Sequence, residues 1–190
     1  MGFGKIFWGF LFFFDFRIQG FDILPDIIGY WLIYSGLKEL VSMGSHFAAA
    51  QKYTVVLGIL SVFDLYQITM PIQQFSIGPL TGLIILLGII VTILDLLMVY
   101  NLCHGIAEMA KGRGLSGLKT IALNRWKYYL YLRVATGVAV PLAILIPPLV
   151  MMLLIPLIGI SILVFILMMG LMMQAEELLG WTNLRRRKLN

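Results

Sequence analysis

The sequence contains little cysteine, histidine or charge. Cys103 is the single cysteine among 190 residues, which excludes an intramolecular disulfide framework, a CxxC redox pair and a multi-cysteine metal site. With only His46 and His104 as imidazole ligands, no metal site is predicted. The chain has no P-loop and no dinucleotide-binding glycine fingerprint, so no cofactor is predicted either. Charged residues make up 12% of the chain, about half the fraction of an ordinary soluble domain.

Hydrophobic residues make up 61% of the chain and lie in long blocks. Because a helix needs roughly 20 apolar residues to cross a bilayer, these blocks predict an all-α fold. The prediction is a polytopic transmembrane helical bundle of five or six membrane segments that forms a single integral membrane domain over residues 1–190. The predicted segments are 3–18, 26–41, 53–70, 80–103, 127–147 and 149–175, followed by a basic tail at 182–190.

The last apolar stretch, about 134–173, is long enough for two spans with a reversal between them. Pro147 and Pro148 predict the place of that reversal, because prolines lack an amide donor and keep the preceding residue out of helical geometry. Pro156 and Gly159 are the alternative.

The N-terminal segment leaves several alternatives open. Its apolar run, 6–14, is too short to cross a bilayer unaided. A tilted short span, a re-entrant arm and an interfacial helix all fit, and a short hairpin with Gly20 near its tip is favoured. Pro25 fits the first turn of the helix that follows, which is predicted over 26–41.

Lysine and arginine collect in the connections between apolar blocks, which predicts the orientation in the membrane. The connection 105–126 and the C-terminal tail are basic and are expected in the cytoplasm, where they would meet anionic lipids. The connection 71–79 carries no charge and is expected outside. The net charge of +5 is therefore attributed to loops and tail, and no nucleic-acid partner is predicted. The basic residues of the 105–126 connection and of the tail are Lys111, Arg113, Lys119, Arg125, Arg185, Arg186, Arg187 and Lys188.

Ionisable residues inside a membrane are costly, so they are the first candidates for function. The predicted intramembrane polar residues are Asp64, Gln67, Asp95 and Arg133. Asp95 and Arg133 lie at similar depth in neighbouring helices, which predicts an interhelical ion pair. Glu108 and the Glu176–Glu177 pair are alternative partners for the arginine. These side chains serve either as interhelical contacts or as part of a proton, ion or substrate path.

Two further groups are candidates at the two ends of the bundle. A polar patch is predicted at the cytoplasmic end, and its residues are Asn101, His104, Glu108, Glu176 and Glu177. A charged outer mouth is predicted from Asp15, Arg17, Asp22 and Asp26, which act either as helix caps or as the entrance for a cation or substrate. A face of small, weakly polar side chains on the 80–103 helix is suited to close helix contact, and consists of Thr81, Gly88, Thr92 and Asp95.

The favoured functional class is a non-enzymatic membrane protein. It is either a small transporter or channel, or a subunit that packs against another membrane protein or a second copy of itself. The alternative is an intramembrane hydrolase or transferase acting on lipid or peptide, with Asp64, Asp95 or the His104 and Glu108 pair as acid and base. The residues do not identify a substrate or a partner.

The N-terminal string from Phe21 to Tyr30, FDILPDIIGY, follows the string FDFR at 14–17. These first forty residues resemble the N-terminal signature of an uncharacterised family of small multi-pass membrane proteins of Gram-positive bacteria. The rest of the chain is similar to that family only in hydropathy. The resemblance implies a location in the bacterial plasma membrane, and it implies no activity.

Overall fold

The computed structural model describes residues 2–12, 17–18, 21–22, 26–64, 79–145 and 147–187. Within these ranges the chain is helical apart from two short strands and a few turn residues, so the predicted all-α class is confirmed. The elements are α1 (Phe3–Phe12), β1 (Arg17–Ile18), β2 (Phe21–Asp22), α2 (Asp26–Leu40), a 3-10 turn (Val41–Met43), α3 (Ser45–Asp64), α4 (Pro79–Gly112), α5 (Ser116–Leu145) and α6 (Pro147–Arg187).

The helices form a closed bundle around one apolar core. Each helix packs against the next one in the chain, and α1 also packs against α6. The buried side chains concentrate at the end of the bundle where α4 meets α5. The largest of them are Tyr129, Phe3, Phe10, Phe47, Ile6, Ile33, Leu37, Leu40, Leu57, Met98, Leu102 and Ile106.

Two helices among the described residues are long and apolar enough to cross a membrane. They are Ile85–Gly112 in α4 and Ile155–Gly180 in α6. In their most apolar windows only 28% and 22% of the residues are buried, whereas the core helix of a soluble protein is mostly buried. Both helices therefore fit a bilayer better than an aqueous core. By this criterion the described residues support two spans, and five or six spans are not supported.

The N-terminal segment, for which several alternatives were left open, does not form a single helix over 3–18. Helix α1 has 10 residues, about 15 Å at 1.5 Å per residue, which is half the thickness of a bilayer core. Strands β1 and β2 then pair antiparallel, with Arg17 opposite Asp22 and Ile18 opposite Phe21. The chain thus reverses where the sequence predicted the tip of a short hairpin. Gly20 itself lies outside the described residues.

Helix α2 lies where it was predicted, but α4, α5 and α6 extend well beyond their predicted spans at the basic end. The predicted spans stopped where the apolar runs stop, near Cys103 and at residues 127 and 175. Lysine, arginine, glutamate and alanine are strong helix formers, so the helices continue into polar sequence. Helix α3 likewise begins at Ser45, earlier than the predicted 53. Met70, the predicted end of that span, lies outside the described residues.

The connection predicted over 105–126 is a tight turn between α4 and α5. The amide of Leu115 donates to the carbonyl of Ala110 at 2.9 Å, and the amide of Gly114 donates to Lys111 at 3.2 Å. With Gly114 at φ +72°, this is the Schellman arrangement that satisfies the last carbonyls of a helix. Gly114 therefore fixes a sharp reversal between the two helices.

Gly114→Ala should destabilise this turn, because a left-handed backbone costs a residue with a Cβ roughly 1–2 kcal/mol. Thermal unfolding in detergent should show a lower midpoint than in the native chain. Gly117→Ala is the matched control, since Gly117 lies in α5, has no positive φ and has open space around its added Cβ. Equal midpoints for the two variants would contradict the role assigned to Gly114.

The predicted reversal at the paired prolines is confirmed. Helix α5 ends at Leu145 and α6 begins at Pro147, a first-turn position that proline tolerates well. The alternative reversal at Pro156 and Gly159 is wrong, because both residues lie within α6.

Candidate functional site

The turn at Gly114 brings one carboxylate and one guanidinium to the same level of the bundle. Asp95 of α4 and Arg133 of α5 are equally far from Gly114 along the chain. Because α4 and α5 pack antiparallel about this turn, residues at equal distances from it face each other. Tyr129 lies one helical turn from Arg133 on the same face of α5. These three residues form the polar cluster of the core.

The three side chains are joined by short hydrogen bonds. Arg133 Nη2 lies 2.7 Å from Asp95 Oδ2, which makes the predicted ion pair. The Tyr129 hydroxyl donates to the same oxygen at 2.6 Å and accepts from Arg133 Nη2 at 2.8 Å and Nε at 3.1 Å. The hydroxyl therefore bridges the acid and the base. The Arg133 guanidinium also lies over the Tyr129 ring, 5.2 Å from its centroid.

The cluster is buried on one side and partly open on the other. Asp95 is 3% exposed and Tyr129 is 1% exposed, whereas the Arg133 side chain is 35% exposed. The Tyr129 ring meets Phe165 of α6 edge to face, with centroids 6.3 Å apart, and Phe165 contacts Phe10 of α1. The polar cluster is thus packed into the core through an aromatic chain that reaches α1 and α6.

The sequence predicted the partners of this ion pair but not the bridging tyrosine. Tyr129 is not among the predicted site residues. The spacing of four between Tyr129 and Arg133 was the available signal, since side chains at that spacing meet on a helix. The alternative partners for Arg133 are wrong, because Glu108 pairs with His46 and Glu176 accepts a hydrogen bond from α1.

The predicted cytoplasmic-end patch forms in part, and α3 adds a residue to it. His46 Nδ1 lies 2.9 Å from Asn101 Oδ1, and His46 Nε2 lies 3.4 Å from Glu108 Oε1. Both ring nitrogens of His46 therefore face acceptors. His104 Nδ1 bonds the carbonyl of Tyr100 at 2.9 Å, and its ring lies 5.9 Å from the His46 ring. His46 joins this patch although it is not among the residues predicted from the sequence.

Glu176 and Glu177 do not join this patch. A carboxylate oxygen of Glu176 accepts from the amide of Gly4 at 3.1 Å, in the first turn of α1. That position suits an acid, because helix N-termini carry unpaired amides and a positive dipole end. Glu177 is exposed on α6. In the part of the chain that the structure describes, no three His, Cys, Asp or Glu side chains are grouped so that they could hold a metal ion.

The other candidate residues lie at or beyond the edge of the described structure. Asp64 is the last residue of α3, and Gln67 and Asp15 lie outside the described residues. Arg17 and Asp22 are opposite each other in the β-hairpin. Asp26 begins α2, the position expected of an acid near a helix N-terminus. The outer mouth therefore stays a prediction.

The small-residue face of α4 is only partly used within the chain. Asp95 contacts α5, but a Cβ added at Gly88 would meet no atom of the described residues within 4 Å. The Thr92 hydroxyl donates to the carbonyl of Gly88 at 2.8 Å, one turn back in its own helix. The hydroxyl is thus satisfied locally, and this part of the face is open to close approach by another helix.

The chemistry of the cluster is that of an interhelical contact. An acid–base catalyst must bring its carboxyl group within hydrogen-bond reach of a substrate. Asp95 is almost fully buried, and its Oδ2 already accepts two charge-assisted or short hydrogen bonds. Joining α4 to α5 is therefore the role that its geometry fits best.

No protein-family model matches this chain, and neither a curated protein nor a solved structure shows significant similarity to it.

Proposed function

We propose that this chain is a non-enzymatic, multi-pass protein of the bacterial plasma membrane that acts as a subunit of a membrane-protein complex. The observation that carries the proposal is the outer half of α4, where large apolar side chains are exposed at successive positions. Because successive helix residues differ by about 100°, these side chains surround the helix. They are Leu83, Ile85, Leu86, Leu87, Ile89 and Ile90.

Exposed apolar residues at the same level of α3, α5 and α6 support embedding of this half of the bundle in hydrocarbon. Contiguous exposed patches of this kind are rare on soluble monomers and mark contacts with a membrane or a protein. At the other end of the bundle, Arg113 lies in the turn between α4 and α5. Its guanidinium donates a hydrogen bond to the carbonyl of Leu179, near the start of the basic tail. We place this basic end in the cytoplasm, since basic residues are retained there.

The open face at Gly88 favours a partner helix over lipid alone. Without a hydrophobic force between helices in a membrane, association depends on close packing, and small residues allow helix backbones to approach. Gly88 and Thr92 offer such a surface on α4, at a level where no described side chain covers the glycine. The occupant we propose is a transmembrane helix of another subunit or of a second copy.

Transport is the second candidate, and the partial exposure of Arg133 favours it. A guanidinium that is 35% exposed beside a buried carboxylate could exchange its partner with a substrate anion. If the chain is a transporter, proteoliposomes that contain it should take up substrate, and the Asp95→Asn variant should lose this uptake. An intramembrane enzyme would instead turn over substrate in detergent without any gradient.

Photocrosslinking in native membranes tests the subunit proposal. A photoreactive amino acid at Ile85, on the side of α4 that carries Gly88, should give a discrete protein adduct. The same group at Ile90, on the opposite side of the helix at similar depth, is the matched control and should give lipid adducts only. Gly88→Leu should abolish the Ile85 adduct without lowering the thermal stability of the chain, because a Cβ at this position meets no described atom within 4 Å.

The mass of the adduct identifies the partner, since a second copy would add another 21.4 kDa. Adducts of equal yield from Ile85 and Ile90, or an Ile85 adduct that survives Gly88→Leu, would contradict a specific docking face. Recovery of the untreated chain in the soluble fraction after an alkaline wash of membranes would contradict the membrane location itself.

A further inference from the structure

A long apolar groove runs between α5 and α6 on the outside of the bundle. Its volume is about 740 Å³, and its walls are almost entirely aliphatic and aromatic. Because α5 and α6 are antiparallel, Arg125 and Leu167 lie at one end of the groove, and Ala135 and Pro156 lie at the other. The groove does not include the Asp95 cluster.

The length of the groove matches one leaflet of a bilayer. From Arg125 to Ala135 the helix rises about 15 Å, at 1.5 Å per residue. The hydrocarbon core of a bilayer is roughly 30 Å thick, so one leaflet contributes about half of that. Tyr128 lines the end near Arg125, and tyrosine is enriched where hydrocarbon meets headgroups. The groove therefore has the dimensions and the aromatic rim expected of an acyl-chain site.

Arg125 supplies a charge at the headgroup end. Its guanidinium lies 5.8 Å from the centroid of the Tyr128 ring. Its Nε is buried and has no hydrogen-bond partner within the described residues. A buried donor without an acceptor is costly, and a phosphate oxygen is the acceptor that arginine binds best. This arginine differs from Arg133, whose Nε and Nη2 are bound by Tyr129 and Asp95.

We infer that the α5–α6 groove binds an anionic phospholipid, with one acyl chain along the groove and the lipid phosphate on Arg125. Arg125 lies toward the basic end of the bundle, so the lipid belongs to the leaflet at that end. The inference rests on the proposed membrane location but not on the proposed partner helix. The walls select a hydrocarbon chain, and the guanidinium selects a negative headgroup.

Native mass spectrometry of the detergent-purified chain tests the site. Phosphatidylglycerol and phosphatidylcholine with identical acyl chains are offered at equal concentration. Wild type should retain more phosphatidylglycerol. Arg125→Gln should reduce that preference about fivefold, since one basic contact to an anionic lipid is worth about a factor of five. Lys127→Gln, an equal charge change at an exposed position two residues away, should leave the preference unchanged. Millimolar inorganic phosphate should not displace the lipid.

A second variant tests the acyl end of the groove. Ala135→Trp fills the space between α5 and Pro156 and should reduce retention of both lipids, with thermal stability unchanged because Ala135 is exposed. An unchanged preference in Arg125→Gln, or equal losses in Arg125→Gln and Lys127→Gln, would overturn the site and leave the membrane location intact. A wild-type chain that retains neither lipid and stays monodisperse without detergent would overturn both.

Discussion

Arg133→Leu should be among the most destabilising substitutions in this chain, with a loss of about 3–5 kcal/mol in the free energy of unfolding. The variant leaves the Asp95 carboxylate at 3% exposure without its counter-ion. Its Oδ2 keeps only the Tyr129 hydroxyl as a donor. Leaving a buried charge without its partner costs far more than the ion pair contributes, because the attraction of the counter-ion no longer offsets the desolvation of the charge.

Asp95→Leu should cost less, about 1–3 kcal/mol. The guanidinium that it leaves behind is 35% exposed and keeps its hydrogen bonds to the Tyr129 hydroxyl. A long arginine side chain can also move its charged end toward water or headgroups. The loss in free energy of unfolding is therefore expected to be larger for Arg133→Leu, because that variant leaves the more deeply buried charge without a partner.

The double variant should be more stable than the sum of the two losses predicts, with a coupling energy of about 1–3 kcal/mol. Reversible unfolding in mixed micelles, followed by circular dichroism, gives the four free energies of the cycle. Lys127→Leu is the control, because it removes a basic charge from the exposed side of the same helix. Additive losses, or a larger cost for Asp95→Leu than for Arg133→Leu, would contradict the geometry described above.

This ion pair could be predicted from sequence because a helical hairpin has a simple symmetry. Two antiparallel helices joined by a tight turn bring together residues at equal distances from the turn, and Gly114 lies midway between Asp95 and Arg133. The predicted ends of the two helices were wrong. The predicted helices ended near Cys103 and at residue 127, whereas α4 and α5 continue to the turn itself. The prediction that Asp95 and Arg133 face each other was still right, because both predicted helices were too short at the same end of the bundle.

Contacts between helices far apart in sequence could not be predicted in the same way. His46 joins Asn101 and Glu108 only because α3 packs beside α4, and nothing in the local sequence of His46 indicates that pairing. The α5–α6 groove likewise depends on the gap between two whole helices. Hydropathy indicates that a residue avoids water, but it does not distinguish a side chain facing lipid from one facing a neighbouring helix.

The close contact between α1 and α2 is a second feature that only the three-dimensional packing reveals. A Cβ built at Gly9 would lie 2.5 Å from Ile33 Cγ1 and 2.8 Å from the carbonyl oxygen of Gly29. A Cβ at Gly36 would overlap the carbonyl oxygen of Gly2 and lie 3.2 Å from the amide nitrogen of Ile6. Most of these neighbours are backbone atoms, which cannot rotate away. The two helices can approach this closely only because glycine occupies both sides of the contact.

Gly36→Val should therefore separate α1 from α2 and destabilise the chain by about 3 kcal/mol, the upper range for overpacking a tight core. Phe3, Ile6 and Phe10 would lose part of their burial as α1 moves. The thermal midpoint in detergent should fall. Trypsin should also cut after Lys5 faster than in wild type, because cleavage within a helix requires local unfolding.

Gly137→Val is the matched control for this substitution. Gly137 lies within α5, and its added Cβ would meet nothing within 4 Å. Valine is a slightly better helix former than glycine, so this variant should melt at or just above the wild-type midpoint. If both variants melt alike and trypsin cuts both after Lys5 at the wild-type rate, the glycine contact does not hold α1 in place. A loss confined to Gly36→Val would instead show that α1, too short to cross a bilayer, is held to the bundle by backbone proximity to α2.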